Sequence, residues 1–335
     1  MQAIQLDAVH QSVVLRDVPT PVPGPGEILV KLHAAALNHR DVWIQKGQYA
    51  GIALPCTLGA DGAGEVAAWG PGVPAGAPAV GSRVIINPGR HWGSSARAQA
   101  KDFVVLGMPD PGTFAEYITA AVQYVRPLPE HLTAAQGAAL ALAGLTAYRA
   151  AFARAQAQPG ERVLVTGVGG GVAIVAAQLC VARGCEVWGT SGSDNKLARL
   201  PALGLRGGIN YNVDNWVKDL VKQAGGPFDV IIDSAAGPAF GALLDAAVPG
   251  GRIVFYGGTL GNIPQVPPGK VFWKQLSILG SSMGSEQDFD DLLALVTDQK
   301  IVPVVDKIFP LAEAEAALRR LEAGQQFGKI VLQIA

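Results

Sequence analysis

Between residues 162 and 183 a short apolar run, Arg162-Val163-Leu164-Val165-Thr166, enters the glycine cluster Gly167-Val168-Gly169-Gly170-Gly171 and leaves as an apolar stretch of helical length. A strand that ends in glycines and opens onto a helix lets backbone N–H groups approach a phosphate, and the helix dipole adds attraction. Side chains at those positions would block the approach or the backbone angles it needs. The register is Gly167-x-x-Gly170-x-x-Ala173, one residue longer than the simple G-x-G-x-x-G spacing, with Ala where helix packs on strand. Any tight strand-to-helix corner can use such a turn, so its meaning depends on the pattern of the chain beyond it.

Beyond the turn, strands and helices alternate. Strand-like runs recur at 185–190, 208–211, 229–233, 252–256 and 276–280, with helical stretches at 194–203, 215–224 and 239–247. Six strands with helical crossovers predict an α/β, doubly wound parallel sheet. Gly184 falls where a helix C-cap belongs, and Pro201 should end the second helix early. Before residue 127 short apolar runs alternate with Gly and Pro, as in Pro19 to Gly26, and predict an irregular β-barrel unit. Residues 87–112 are polar and aperiodic and read as an excursion loop. From about residue 301 short strands flank one helix, 311–323, and are expected to complete the first unit. The expected division is 1–126, 127–296 and 297–335.

Several functional classes are excluded by what the chain lacks. Charged residues make up 16% and the net charge is −1, without a basic run, so neither nucleic acid nor an anionic membrane is an expected partner. No stretch of about 18 apolar residues occurs. Met1 to Asp7 shows no basic run leading into an apolar one, so no signal peptide is read there. Three cysteines without a paired framework suit a reducing interior, with the cytoplasm as the expected location.

The end of the second strand reads Gly189-Thr190-Ser191-Gly192-Ser193, with Lys196 shortly after. A carboxylate at that tip would bond the ribose hydroxyls of NAD. Small hydroxyls and a cation suit a 2′-phosphate instead, so NADP(H) is the expected cofactor. Asp194 reads as an N-cap for the next helix.

Further motifs carry a resemblance. Leu58-Gly59-Ala60-Asp61-Gly62-Ala63-Gly64-Glu65-Val66, Pro159-Gly160-Glu161-Arg162-Val163-Leu164-Val165, Asp229-Val230-Ile231-Ile232-Asp233-Ser234, Gly250-Gly251-Arg252-Ile253-Val254 and Gly328-Lys329-Ile330-Val331-Leu332 occur in order along nearly the whole chain. In these the sequence resembles the medium-chain dehydrogenase/reductase superfamily, in its quinone-oxidoreductase-like branch. The resemblance implies an N-terminal chaperonin-10-like barrel, a Rossmann domain and a cleft between them. It places Thr146 by the nicotinamide, Lys196 and Tyr211 by the adenosine phosphate, and Gly257 by the inner pyrophosphate or nicotinamide, alongside the cradle candidates Gly170, Gly171, Val172 and Ser191 of the turn and strand end. It also implies a homodimer or homotetramer pairing through the last Rossmann strand, 276–280.

Zinc alcohol dehydrogenases of the same superfamily hold a catalytic metal with a Cys, a His and a second Cys, and tetrahedral zinc with an open position needs three such ligands. The corresponding residues are Asn38, Ala60 and Leu142. The loop that would carry a four-cysteine structural zinc has no cysteine. No metal is therefore expected, and a carbonyl must be polarised by hydrogen-bond donors. That favours a quinone, an enone or another activated carbonyl as the small-molecule substrate of an NADPH-dependent reductase. Asn38 is the first candidate for a donor to the substrate, and Asp41, a candidate catalytic acid, reads first as a residue holding its loop or a neighbouring arginine. Tyr49 and Trp43 are candidate pocket walls, and His39 is a candidate contact to the cofactor phosphates. Two other readings stand beside this one: an alcohol dehydrogenase with an unrecognised metal site, and a non-enzymatic NADP(H)-binding protein.

Overall fold

The computed structural model describes residues 1–334. They form two compact units, Met1–Leu142 with the chain from Gly284 onward, and Ala143–Met283.

The first unit is organised around the strand Glu27–Ala36. Its even-numbered residues Ile28, Val30, Leu32 and Ala34 are buried and the odd ones between them half-buried, the period-two pattern of a strand with one face on a core. It pairs antiparallel with Asp61–Trp69, Tyr117–Ala121 and Lys329–Gln333. Arg83–Ile86, Val125–Pro127 and Val305–Pro310 complete a seven-stranded sheet. A Cβ on Gly64 would lie 1.9 Å from the Lys31 carbonyl oxygen, so only glycine allows the two strands to close where their register shifts. The C-terminal strands therefore join the sheet of the first unit. Its helix, expected over 311–323, is a 3₁₀ turn followed by Ala314–Glu322, whose Ala317, Leu318 and Leu321 pack with Leu6, Leu37, Ile44 and Phe114.

The second unit is a six-stranded parallel sheet in the order Gly207–Asn210, Glu186–Ser191, Arg162–Val165, Phe228–Asp233, Ala247–Phe255, Ser277–Gly280. In chain order this is 3-2-1-4-5-6, the arrangement whose order reverses between the first and fourth strands and leaves a crevice at their C-terminal ends. The helix after the second strand spans only Asp194–Leu197, and a 3₁₀ turn with Pro201 as its first residue comes next. Proline has ended it.

The boundaries expected at 126/127 and 296/297 lie at 142/143 and 283/284. Ala138 and Ala139 of the helix Ala134–Tyr148 pack on Ala34, Ala36, Ala63 and Val331, so that helix begins in the first unit. The helix Glu286–Asp298 belongs there too: its Asp290 pairs with Arg126, Nε to Oδ1 2.6 Å. No helix among the described residues is long and apolar enough to cross a membrane.

Candidate active site and cofactor cradle

In the second unit the strand ends are tied across the crevice. Thr166 donates its hydroxyl to Asp233 Oδ1 at 2.6 Å and accepts the Ser234 N–H at 3.1 Å. Asp233 Oδ2 accepts from the Ala236 N–H at 2.7 Å. Burial pushes this carboxyl above its ordinary range, and these hydrogen bonds oppose the shift. Gly170 is the N-cap of the helix Gly171–Ala182, so the N–H groups of Gly171, Val172 and Ala173 fall in the first turn, where a helix has no internal acceptors. A Cβ on Gly169 would fall 2.8 Å from Lys196 Cδ, and one on Gly192 2.7 Å from the Tyr211 hydroxyl. Lys196 thus lies over the glycine turn and Tyr211 over the turn after the second strand. The buried Ser191 accepts the Ser193 N–H at 3.3 Å. Gly257, where a Cβ would meet the Ser234 carbonyl oxygen at 2.3 Å, lines a groove of about 400 Å³ with Ala236, Phe255 and Ser281.

Gly170, Gly171, Val172, Ser191, Lys196, Tyr211 and Gly257 therefore share the C-terminal edge of one sheet. A dinucleotide fits these residues: a glycine at 257 where a Cβ would collide with backbone, open amides at a helix start and a cation alongside. Thr146 is buried, and its hydroxyl lies 4.0 Å from Met283 Sδ. Asp194 is not the N-cap. Ser193 is, and the Asp194 carboxylate accepts from Asn210 Nδ2 at 2.9 Å.

In the first unit Asn38 caps the helix His39–Gln45, and its N–H donates to Asp41 Oδ2 at 2.8 Å. The Asn38 side chain is turned inward. Its Nδ2 donates to Asp61 Oδ2 at 2.9 Å, and its Oδ1 accepts from Lys329 Nζ at 2.6 Å. The Lys329 ammonium also donates to Asp61 Oδ2 at 2.9 Å and to the Leu37 carbonyl at 2.7 Å. Asp61 Oδ1 accepts the Leu142 N–H at 2.7 Å. The amino group thus has three oxygen acceptors and both Asp61 oxygens are satisfied, as a buried ion pair requires. Asn38, Asp61 and Leu142 stand at or beside the positions that hold metal in zinc relatives; here the Lys329 ammonium bridges Asn38 and Asp61, and Asp61 holds the Leu142 N–H. Among the described residues no three His, Cys, Asp or Glu side chains gather as a metal-binding group.

Asp41 is fully buried, and its Oδ1 has no hydrogen-bond partner. Burial pushes its carboxyl up to about 6 against the opposing charge of Arg40. Arg40 is spent inside the unit: its guanidinium donates to the Leu106 carbonyl at 2.5 Å and to that of Met108 at 3.3 Å. It also stacks 5.0 Å from the Tyr49 ring centre, with Nε 3.4 Å from the Tyr49 hydroxyl. Tyr49 packs against the barrel core. Trp43 is half-buried, and His39 is exposed at the first helical position.

The excursion at 87–112 is more ordered than its composition predicts. It holds a small antiparallel pair, Gly89–Arg90 with Val104–Val105, and buries Trp92 edge-on to Phe103 at 5.3 Å. Two aromatics and the Arg40 anchor organise a lobe without cysteines.

The sequence reading missed Asp61 and Lys329 as site residues. A signal was present: a lysine opening the apolar strand Lys329-Ile330-Val331-Leu332 needs a buried acidic partner.

Residues 24–130 match the family model described as "Alcohol dehydrogenase GroES-like domain", and residues 171–298 match "Zinc-binding dehydrogenase". The chain is 36% identical to the zinc-type alcohol dehydrogenase-like protein YogA of Leptosphaeria maculans, over 97% of this chain and 96% of that one. The chain belongs to the medium-chain dehydrogenase/reductase superfamily. It is 32% identical to the quinone oxidoreductase of Mus musculus over 99% of this chain and 97% of that one. Among solved structures it is similar to an NAD-dependent alcohol dehydrogenase with a TM-score of 0.94 and 37% identity, covering all of both chains. The superfamily makes the protein an oxidoreductase.

Proposed function

We propose that the protein is an NADP(H)-dependent reductase that passes hydride to a quinone, an enone or another activated carbonyl substrate without a catalytic metal. The observation that carries this reading is the Lys329 ammonium bonded to Asn38 and Asp61, the residues at or beside the family's metal-ligand positions. Likeness to a quinone oxidoreductase supports it. Bound NADPH supplies the hydride, and the chain supplies binding and orientation. The amides after Gly170 receive the pyrophosphate, and Lys196 with Ser191 receives the 2′-phosphate. The similar solved structure is of an NAD-dependent alcohol dehydrogenase, so the preference for NADP(H) rests on these residues of the chain itself. Lys329 and Asp61 hold the Asn38 amide in one orientation, and its second amide hydrogen donates to the substrate oxygen as charge develops there. Asp41 fixes the backbone on which Asn38 stands, and Tyr49 with Arg40 walls the same region.

The reading includes a homodimer formed through the edge strand Ser277–Gly280, beside which Phe272 and Trp273 are exposed. Sedimentation gives its mass directly. The function is tested by following NADPH oxidation with a panel of quinones, enones and simple aldehydes, on protein made without chelator and again after chelation. Turnover of quinones or enones, unchanged by chelation, is expected. Activity lost with a stoichiometric metal overturns the proposal.

A further inference from the structure

The helix Gly171–Ala182 ends in a Schellman cap. Gly184 takes φ +81°, its N–H bonds the Val181 carbonyl at 2.9 Å, and the Cys185 N–H bonds the Cys180 carbonyl at 3.0 Å. This cap brings the third residue from the helix end beside the second residue past the cap, usually as an apolar pair. Here both are cysteines. The Cys180 thiol hydrogen-bonds the Cys185 sulfur, and the Cys185 thiol also reaches the Gln158 carbonyl at 3.3 Å. The cap, already fixed in the folded backbone, therefore holds the two thiols as neighbours.

The pair is asymmetric. Their mutual hydrogen bond holds Cys185 below the ordinary thiol range, with help from Arg183 and against burial and Glu161. The same bond, together with burial, holds Cys180 well above that range. Cys180 is sealed, whereas Cys185 is 9% exposed at the surface end of the cap. Cys56 sits in the other unit, and burial pushes its thiol up to about 11. Thiolate character and access decide which sulfur is oxidised.

We propose that Cys180 and Cys185 form a reversible dithiol–disulfide site whose oxidant is a hydroperoxide. The Cys185 thiolate attacks one peroxide oxygen, the O–O bond breaks, and the second oxygen leaves as water or an alcohol after taking a proton. Cys185 is then a sulfenic acid. The Cys180 sulfur attacks it, the S–O bond breaks, and the hydroxide departs with the Cys180 proton as water. Two thiols have lost two electrons and two protons, and the peroxide has gained them. The bond staples the end of the cradle helix to the start of the strand Glu186–Ser191.

The test treats the reduced full-length protein with a small excess of hydrogen peroxide, alkylates under denaturing conditions and maps the cysteine peptides by mass. The expected product is a Cys180–Cys185 peptide lighter by two hydrogens and restored by dithiothreitol, with Cys56 still alkylated. In Cys180→Ala the resolving thiol is gone, so Cys185 should be captured as a sulfenic acid by dimedone. In Cys185→Ser that capture should vanish. Both thiols alkylated after peroxide, oxidation of Cys56 first, or irreversible sulfinic acid at Cys185 in the unmodified chain would overturn the proposal.

Discussion

Lys329 Nζ lies 2.9 Å from Asp61 Oδ2, and the two side chains are 5% and 0% exposed. Removing one partner of a buried pair strands the other charge, at a cost of about 3–5 kcal/mol. Lys329→Met and Asp61→Leu should each lose stability of that order in urea unfolding, and the double variant should lose clearly less than their sum. Additive losses would mean that the two charges do not depend on each other.

Asn38 has two tasks that separate experimentally. Asn38→Ala removes an acceptor from Lys329 and a donor from Asp61, so stability should fall by about 1–3 kcal/mol. If its second amide hydrogen also meets a developing oxyanion, kcat should fall by roughly 10²–10³. Asn38→Asp restores the acceptor but not the donor, and should stay slow. Normal turnover per folded Asn38→Ala molecule would reduce Asn38 to a structural role.

The preference for NADPH should depend on Lys196. Fluorescence titration of both cofactors should show tighter NADPH binding, and Lys196→Ala should narrow the gap by about 1–3 kcal/mol while leaving NADH binding nearly unchanged. Equal binding of both cofactors by the unmodified protein would refute the assignment.

Asp41 makes a prediction about pH. Its folded carboxyl is pushed up to about 6 from an ordinary 3.8. The folded state therefore binds a proton that the unfolded chain has already released, and this group's contribution to stability falls as pH rises from about 4 to about 6. Above 6 the penalty is complete, of order 3 kcal/mol for a shift of about two units. Asp41→Asn keeps an oxygen for the Asn38 N–H without the charge. It should be more stable than the parent above pH 6, and the difference between the two proteins should shrink toward pH 4. A constant difference across that range would show that Asp41 does not titrate there.

Much of the fold was legible in the residues. The glycine turn, the six strand runs and Pro201 carried local signals strong enough to place the parallel sheet, because turn chemistry and strand period are encoded over a few residues. Phe272 and Trp273 lie in a short helix, Pro268–Trp273, that gave no periodic signal. The unit boundaries were misplaced because Ala138 and Ala139 look the same whether they pack on strand or on helix. The network of Asn38, Asp61 and Lys329 was illegible for a different reason. Its members are 23 to 291 residues apart, and only the folded sheet brings them together. Trp92 and Phe103 misled in the opposite direction: two aromatics in a polar stretch gave no sign of a core of their own.

The strand that carries Lys329 completes a sheet begun by Glu27–Ala36, and this sets an order on the making of the molecule. Asp61 is translated 268 residues before its counter-ion. At about 5–20 residues per second a ribosome needs roughly 13–54 s to cover that interval. The parallel sheet, contained wholly within Ala143–Met283, can close in the meantime. The first unit emerges first and matures last, leaving an open edge and an unneutralised carboxylate as the points where a chaperone would hold the nascent chain, or where a truncated chain would aggregate.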